Sequence, residues 1–114
     1  MLKIKRVYED ASAADGHRVL VDRVWPRGVS KERADVERWE KDLGPSTELR
    51  KWFGHDPARF DEFARRYREE LRSHEETIEE LRKLSEKATV TLVYSARDEE
   101  HNQAVVLQAV IRGG

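Results

Sequence analysis

Two polar stretches contain most of the residues that could do chemistry, and each directly follows a short apolar segment. The first reads DRVWPRGVSK and follows residues 19–21, whereas the second reads SARDEEHN and follows residues 90–94. Arginine guanidinium groups bind phosphate and carboxylate through paired N–H donors, so arginines placed after buried segments indicate an anion site. The predicted ligand-binding residues are Asp22, Arg23, Arg27, Tyr94, Arg97 and Asn102.

The arginines of these two stretches also have a structural interpretation. Asp22 and Asp98 could neutralise them in local salt bridges, which would leave no charge for a ligand. The sequence alone leaves both interpretations open. The arginines between residues 65 and 82 are different, because they are predicted to lie on helix surfaces and to pair with glutamates four positions away.

Two of the four histidines are candidates for general acid/base catalysis near neutral pH. His101 lies three residues after Asp98, and His55 lies in the bend WFGHDP. His17 and His74 are predicted to be surface or capping residues. The histidines and aspartates show no metal-ligand spacing such as HExxH, so no metal site is predicted. No cofactor can be assigned, since GxGxxG, Walker A and GxSxG motifs are all absent.

The elements that position these residues predict a small α/β fold, with about three mainly parallel strands flanked by helices in a single domain spanning residues 1–114. The predicted strands are residues 2–8, 18–24 and 90–94, in the spatial order 2-1-3. In such sheets ligands bind at the carboxyl ends of strands, and an N-terminal helix turn adds free N–H groups. Both polar stretches should therefore meet at one edge of the sheet.

Capping residues define the predicted helices. Ser46 begins a helix that ends at Phe53, and Asp56 with Pro57 begins the next one. Ser73 and Glu76 form a capping box, which favours two helices over one continuous coiled coil between residues 58 and 87. Residues 36–43 are predicted to be a short amphipathic piece, and the last helix begins near Gln103.

Composition excludes several classes of protein. The 22 basic and 23 acidic residues give a net charge of -1, which does not favour a nucleic-acid-binding surface. The chain has no cysteine, so disulfides and thiol chemistry are excluded. No apolar run is long enough to span a bilayer and no signal peptide is present, so no membrane association and a cytoplasmic location are expected. The three tryptophans are more typical of packing than of base stacking.

Four motifs in order resemble the short, YeaO-like branch of the domain-of-unknown-function 488 family. They are VDRVWPRGVSK, ELRKWFGHDPARFDEF, RYREEL and VTLVYSARDEEHNQAVVL, and the resemblance covers nearly the whole chain. It implies a small α/β cytoplasmic protein of bacteria or archaea. Longer relatives carry a DVR…P pattern that resembles Asp22, Arg23 and Pro26 here, and a Cys…CHR pattern near residues 94–102. This chain lacks the cysteine, so thiol chemistry is not carried over.

These observations together predict an anion pocket, for phosphate or carboxylate, at the carboxyl-terminal edge of the sheet. The protein would be a small-molecule enzyme that uses His101 or His55, or a ligand-sensing or protein-interaction module without catalysis. A nucleic-acid-associated module that uses the arginines and tryptophans of residues 25–31 is a less favoured hypothesis. The sequence does not indicate the ligand or the oligomeric state.

Overall fold

A computed structural model describes residues 1–113, which form a parallel sheet covered by helices. The strands are β1 (Leu2–Arg6), β2 (His17–Leu20), β3 (Arg38–Trp39) and β4 (Val90–Tyr94), in the spatial order β1-β4-β2-β3. Every pair of neighbouring strands is parallel. The predicted α/β class and the parallel strands are therefore confirmed.

The predicted strand order is wrong, because the last strand lies between the first two. All five residues of β4 are buried. A strand that is apolar along its whole length can be covered on both faces and paired along both edges. β1 carries Lys3, Lys5 and Arg6, whose side chains reach solvent more easily from an outer strand. Because β4 is the one strand between β1 and β2, the short connection between these two strands crosses a single strand.

A fourth strand, β3, was not predicted from the sequence. It contains two residues, which pair as Val19 with Arg38 and Leu20 with Trp39. Two residues are too few to produce a recognisable alternation of polar and apolar positions. The residues that follow form a 3₁₀ turn at Lys41–Leu43, so the predicted amphipathic piece is a strand followed by a turn.

Five α-helices complete the fold of residues 1–113. They are α1 (Lys31–Ala34), α2 (Thr47–Phe53), α3 (Phe60–Leu71), α4 (Glu75–Lys87) and α5 (Gln103–Ile111). The Ser46 side chain caps α2 as predicted, and Gly54 ends this helix in the left-handed region. α3 and α4 are separate helices, but the predicted capping box at Ser73 does not form. A 3₁₀ turn at Arg72–His74 joins the two helices directly, and α4 begins without a side-chain cap.

Successive residues of the central strands point to opposite faces and build two apolar clusters. Val19 and Leu92 belong to the larger cluster, which α2, α3, α4 and α5 cover. Leu20 and Val93 belong to a smaller cluster beneath α1 and Trp25. Helices on both faces leave the carboxyl ends of the strands as the open edge of the sheet. No helix formed by residues 1–113 has both the length and the apolar character that crossing a membrane requires.

Candidate functional site

A cleft with a volume of about 440 Å³ lies where the carboxyl ends of the strands meet α2. The loop after β2 forms one wall, α2 and the bend after it form a second wall, and residues after β4 complete the lining. The polar and charged lining residues are Tyr8, Asp22, Arg23, Trp25, Arg27, Thr47, Arg50, Lys51, His55, Ser95 and Gln103. Four of them are basic residues and one is an acid.

Asp22 is the acid, and its side chain is buried in the wall of the cleft with the residue 6% exposed. The Gln103 side chain donates a hydrogen bond to its Oδ1 atom, and the neighbouring Ser95 also favours the charged form of the carboxylate. Burial raises the pKa of Asp22 above its ordinary value, because these two neighbours and the nearby charge of Arg50 offset desolvation only in part.

Arg23 holds the loop after β3 as well as lining the cleft. Its guanidinium donates to the backbone oxygens of Gly44 and Pro45, each at 2.8 Å, and lies 4.0 Å from the Asp42 carboxylate. A Cβ atom at residue 44 would lie 2.6 Å from the backbone nitrogen of Arg23, so only glycine lets the two backbone segments approach this closely. The charge of Arg23 is therefore largely committed to the fold.

Three further basic residues of the cleft do not hold another part of the fold in this way. Arg27, Arg50 and Lys51 are exposed, and their side chains make no hydrogen bond or ion pair with any of residues 1–113. The backbone near Arg27 is fixed instead, since Pro26 is buried and the Tyr8 hydroxyl donates to the Arg27 oxygen at 3.0 Å. The sequence interpretation missed Arg50 and Lys51, because exposed basic residues on a helix are ordinary and only tertiary packing turns α2 toward this edge.

His55 lines the cleft directly after the C-terminal cap of α2. It is exposed, and its φ angle of 58° lies in the left-handed region, which is uncommon for a residue with a side chain. Its ring lies 6.1 Å from that of Phe53. Such backbone conformations are found more often at functional sites.

The remaining predicted residues lie outside the lining of the cleft, at the end of β4 and in the turn that follows it. Arg97 is exposed and has no ion-pair partner among residues 1–113. Asp98 accepts the backbone N–H groups of Glu100 and His101, which hold its pKa below the usual value, and its other oxygen lies 2.9 Å from the His101 Nδ1 atom. The His101 ring packs edge-on against Phe60 at 5.2 Å.

Asn102 and Tyr94 have structural contacts in this region. The Asn102 side chain caps α5 by accepting the Val105 N–H at 3.1 Å, and it donates to the backbone oxygen of Asp98 at 2.8 Å. Both Asn102 and Tyr94 are nearly fully buried. Burial, together with the negative charge of Glu99, raises the pKa of the Tyr94 hydroxyl above its ordinary value.

Of the predicted site residues, the cleft is lined by Asp22, Arg23, Arg27 and His55. It is not lined by Tyr94, Arg97, His101 or Asn102. Within residues 1–113, neither Asp22 nor Asp98 forms an ion pair with an arginine of the two polar stretches. These two aspartates therefore do not neutralise the loop arginines through salt bridges. The described part of the chain also contains no group of three His, Asp or Glu side chains arranged to hold a metal ion.

Comparison with known proteins gives a family match over the described chain. A family model described as the inactive DUF488-N3 subclade matches residues 1–113. The chain is 47% identical over 112 residues to "Uncharacterized protein Rv3073c" of Mycobacterium tuberculosis, covering 98% of this chain and 94% of the relative. It is 40% identical over 111 residues to "Uncharacterized protein YeaO" of Escherichia coli, covering 97% and 96%. No solved structure matches the chain. The resemblance inferred from the four motifs is confirmed.

Proposed function

We propose that this chain, which belongs to the inactive DUF488-N3 subclade, binds a small phosphate- or carboxylate-bearing molecule in the cleft without transforming it. One observation carries the proposal. Arg27, Arg50 and Lys51 line one cleft and make no side-chain hydrogen bond or ion pair with residues 1–113, while the charge of Arg50 also acts on the neighbouring Asp22. Unpaired cations that converge on a cleft create a positive potential that attracts and holds anions.

Binding without catalysis fits both the family description and the residues of the cleft. The family model carries the word "inactive", and the Asp98–His101 pair lies outside the lining. A sensor or ligand-dependent interaction module needs only the anion site. The protein would carry out this role in the cytoplasm, as its sequence leads us to expect, and it would need no nucleic acid or membrane partner.

The enzyme hypothesis keeps one supporting observation. His55 lines the cleft with a left-handed backbone conformation, and its imidazole is a candidate general acid or base for a ligand bound there. His101 is the second candidate, oriented by Asp98. An enzyme requires that His55→Ala or His101→Ala abolishes turnover while binding persists, whereas a binding module shows no turnover of any bound compound.

Thermal unfolding in the presence of inorganic phosphate, at matched ionic strength, tests the binding site. A ligand at 100 times its dissociation constant stabilises the fold by about 2.7 kcal/mol. For a chain of this size the midpoint should rise by roughly 11 °C.

Arg27→Ala and Arg97→Ala form a matched pair, because each removes one exposed arginine that has no side-chain partner among residues 1–113. Only Arg27 lines the cleft. We expect the phosphate-dependent rise to be lost in Arg27→Ala and kept in Arg97→Ala. Equal losses in both variants, or no rise in the wild-type protein, would contradict the proposal.

A further inference from the structure

We propose that Asp22 makes the cleft selective for organic phosphates that carry a hydroxyl group, an inference that rests on the proposed function. In this arrangement Arg27, Arg50 and Lys51 hold the phosphate, and the Asp22 carboxylate accepts a hydrogen bond from the hydroxyl. The cleft would therefore recognise its ligand at two points, one cationic and one anionic.

Asp22 has room for one more hydrogen-bond donor. An ionised carboxylate presents about four lone-pair positions. Gln103 donates to the Oδ1 atom, and Ser95 is the other polar neighbour that favours the charged form. Asp22 borders the cleft, so a ligand group can reach a carboxylate position that Gln103 leaves open. Its raised pKa agrees with this count, because the existing partners do not fully compensate the buried charge.

The charges of the cleft determine what kind of donor fits there. Arg23, Arg27, Arg50 and Lys51 disfavour a ligand ammonium group, so the donor at Asp22 should be uncharged. An anion that has no donor would meet the Asp22 carboxylate and be repelled. A hydroxyl group satisfies both conditions, since it is neutral and can donate to the free carboxylate position.

The size and walls of the cleft favour an organic phosphate over a bare anion. Its volume of about 440 Å³ lies within the roughly 300–1,000 Å³ range of small-molecule sites. Trp25, Phe53 and Pro26 provide apolar lining for a carbon skeleton. Three unpaired cations suit the two negative charges of a phosphate monoester better than the single charge of a carboxylate.

Glycerol 3-phosphate and propyl phosphate are matched probes, because they share the three-carbon skeleton and the phosphate charge and differ in hydroxyl groups. We expect calorimetric titration of the wild-type protein to show about tenfold tighter binding of glycerol 3-phosphate, as for one hydrogen bond to a charged group. In Asp22→Asn the repulsion disappears, so propyl phosphate should bind more tightly and the tenfold preference should shrink to about twofold.

The outcomes separate this inference from the proposed function. Equal affinity of the wild-type protein for both probes would overturn the role of Asp22 while leaving anion binding in place. Binding of neither probe would overturn the proposed function itself. An unchanged preference in Asp22→Asn would also overturn the inference. If that variant does not fold, the wild-type comparison decides the question.

Discussion

At the scale of single residues, three arginines that look alike in the sequence have different surroundings. Arg23 donates to the backbone of a neighbouring loop, Arg27 lines the cleft without a side-chain partner, and Arg97 lies in another turn. Each follows the end of a strand, so local sequence indicates the right edge of the sheet. It could not separate the three, because their partners depend on residues such as Gly44, about 20 positions away.

Arg23→Ala should lower the free energy of unfolding by about 2 kcal/mol, because two carbonyl groups lose a charged donor. Arg27→Ala should change it by less than about 0.5 kcal/mol, as is usual for an exposed side chain without partners. Urea denaturation of both variants measures these values. Equal destabilisation by the two substitutions would show that Arg23 is not the structural arginine.

Asp22 should make stability depend on pH in a particular direction. Its pKa is raised in the folded protein, chiefly by burial, so the folded state binds the proton more tightly than the unfolded state does. The resulting stabilisation is complete below the ordinary aspartate pKa of 3.8 and is lost as the pH rises through the folded value.

Asp22→Asn removes this dependence. As the pH rises from 3.5 to 7, the wild-type protein should lose stability that Asp22→Asn does not lose. The unfolding free energy of the variant relative to the wild type should therefore increase over this range. Denaturation curves recorded across this range provide the measurement. Parallel pH profiles for the two proteins would mean that the Asp22 carboxyl titrates normally in the folded state.

At the scale of elements, capping residues predicted some of the helix starts, whereas the short strand β3 escaped prediction. Ser46 accepts a backbone N–H at the expected start of α2, because capping depends on neighbours in the chain. Asp56 caps the 3₁₀ turn at Pro57–Arg59 that leads into α3, and the predicted box at Ser73 does not form. β3 forms through pairing with β2, a contact that two residues cannot encode locally. The turn before α5 shows a related limit, since Asn102 was predicted to bind a ligand but its side chain contacts the backbone of Asp98 and Val105.

Asn102→Ala should lower the free energy of unfolding by about 1–2 kcal/mol, because α5 loses its cap and the preceding turn loses a buried donor. Asn102→Ser retains a capping oxygen, so it should recover part of this loss. Thermal or urea unfolding distinguishes the variants. A loss of phosphate binding without any loss of stability in Asn102→Ala would instead make Asn102 a ligand residue.

At the scale of the whole molecule, the strand order explains both the success and the failure of the predicted site. β2 and β4 are parallel neighbours, so Asp22 and Ser95 emerge side by side at the same edge. That edge could be predicted from the positions of the strands. The cleft also needs Arg50 and Lys51, which reach it because α2 packs against α3 and the sheet. No local pattern in the sequence encodes that packing.

The three tryptophan indole N–H signals in a nuclear magnetic resonance titration with inorganic phosphate offer the decisive observation. Trp25 lines the cleft, and the Trp39 indole donates to the backbone oxygen of Asp22 at 2.7 Å. Trp52 lies against Arg59 and Arg66 outside the lining and serves as the internal reference. We expect saturable shifts of the Trp25 and Trp39 signals, a constant Trp52 signal, and no shifts in Arg27→Ala. Equal movement of all three signals, or shifts that persist in Arg27→Ala, would show that phosphate does not bind in the cleft.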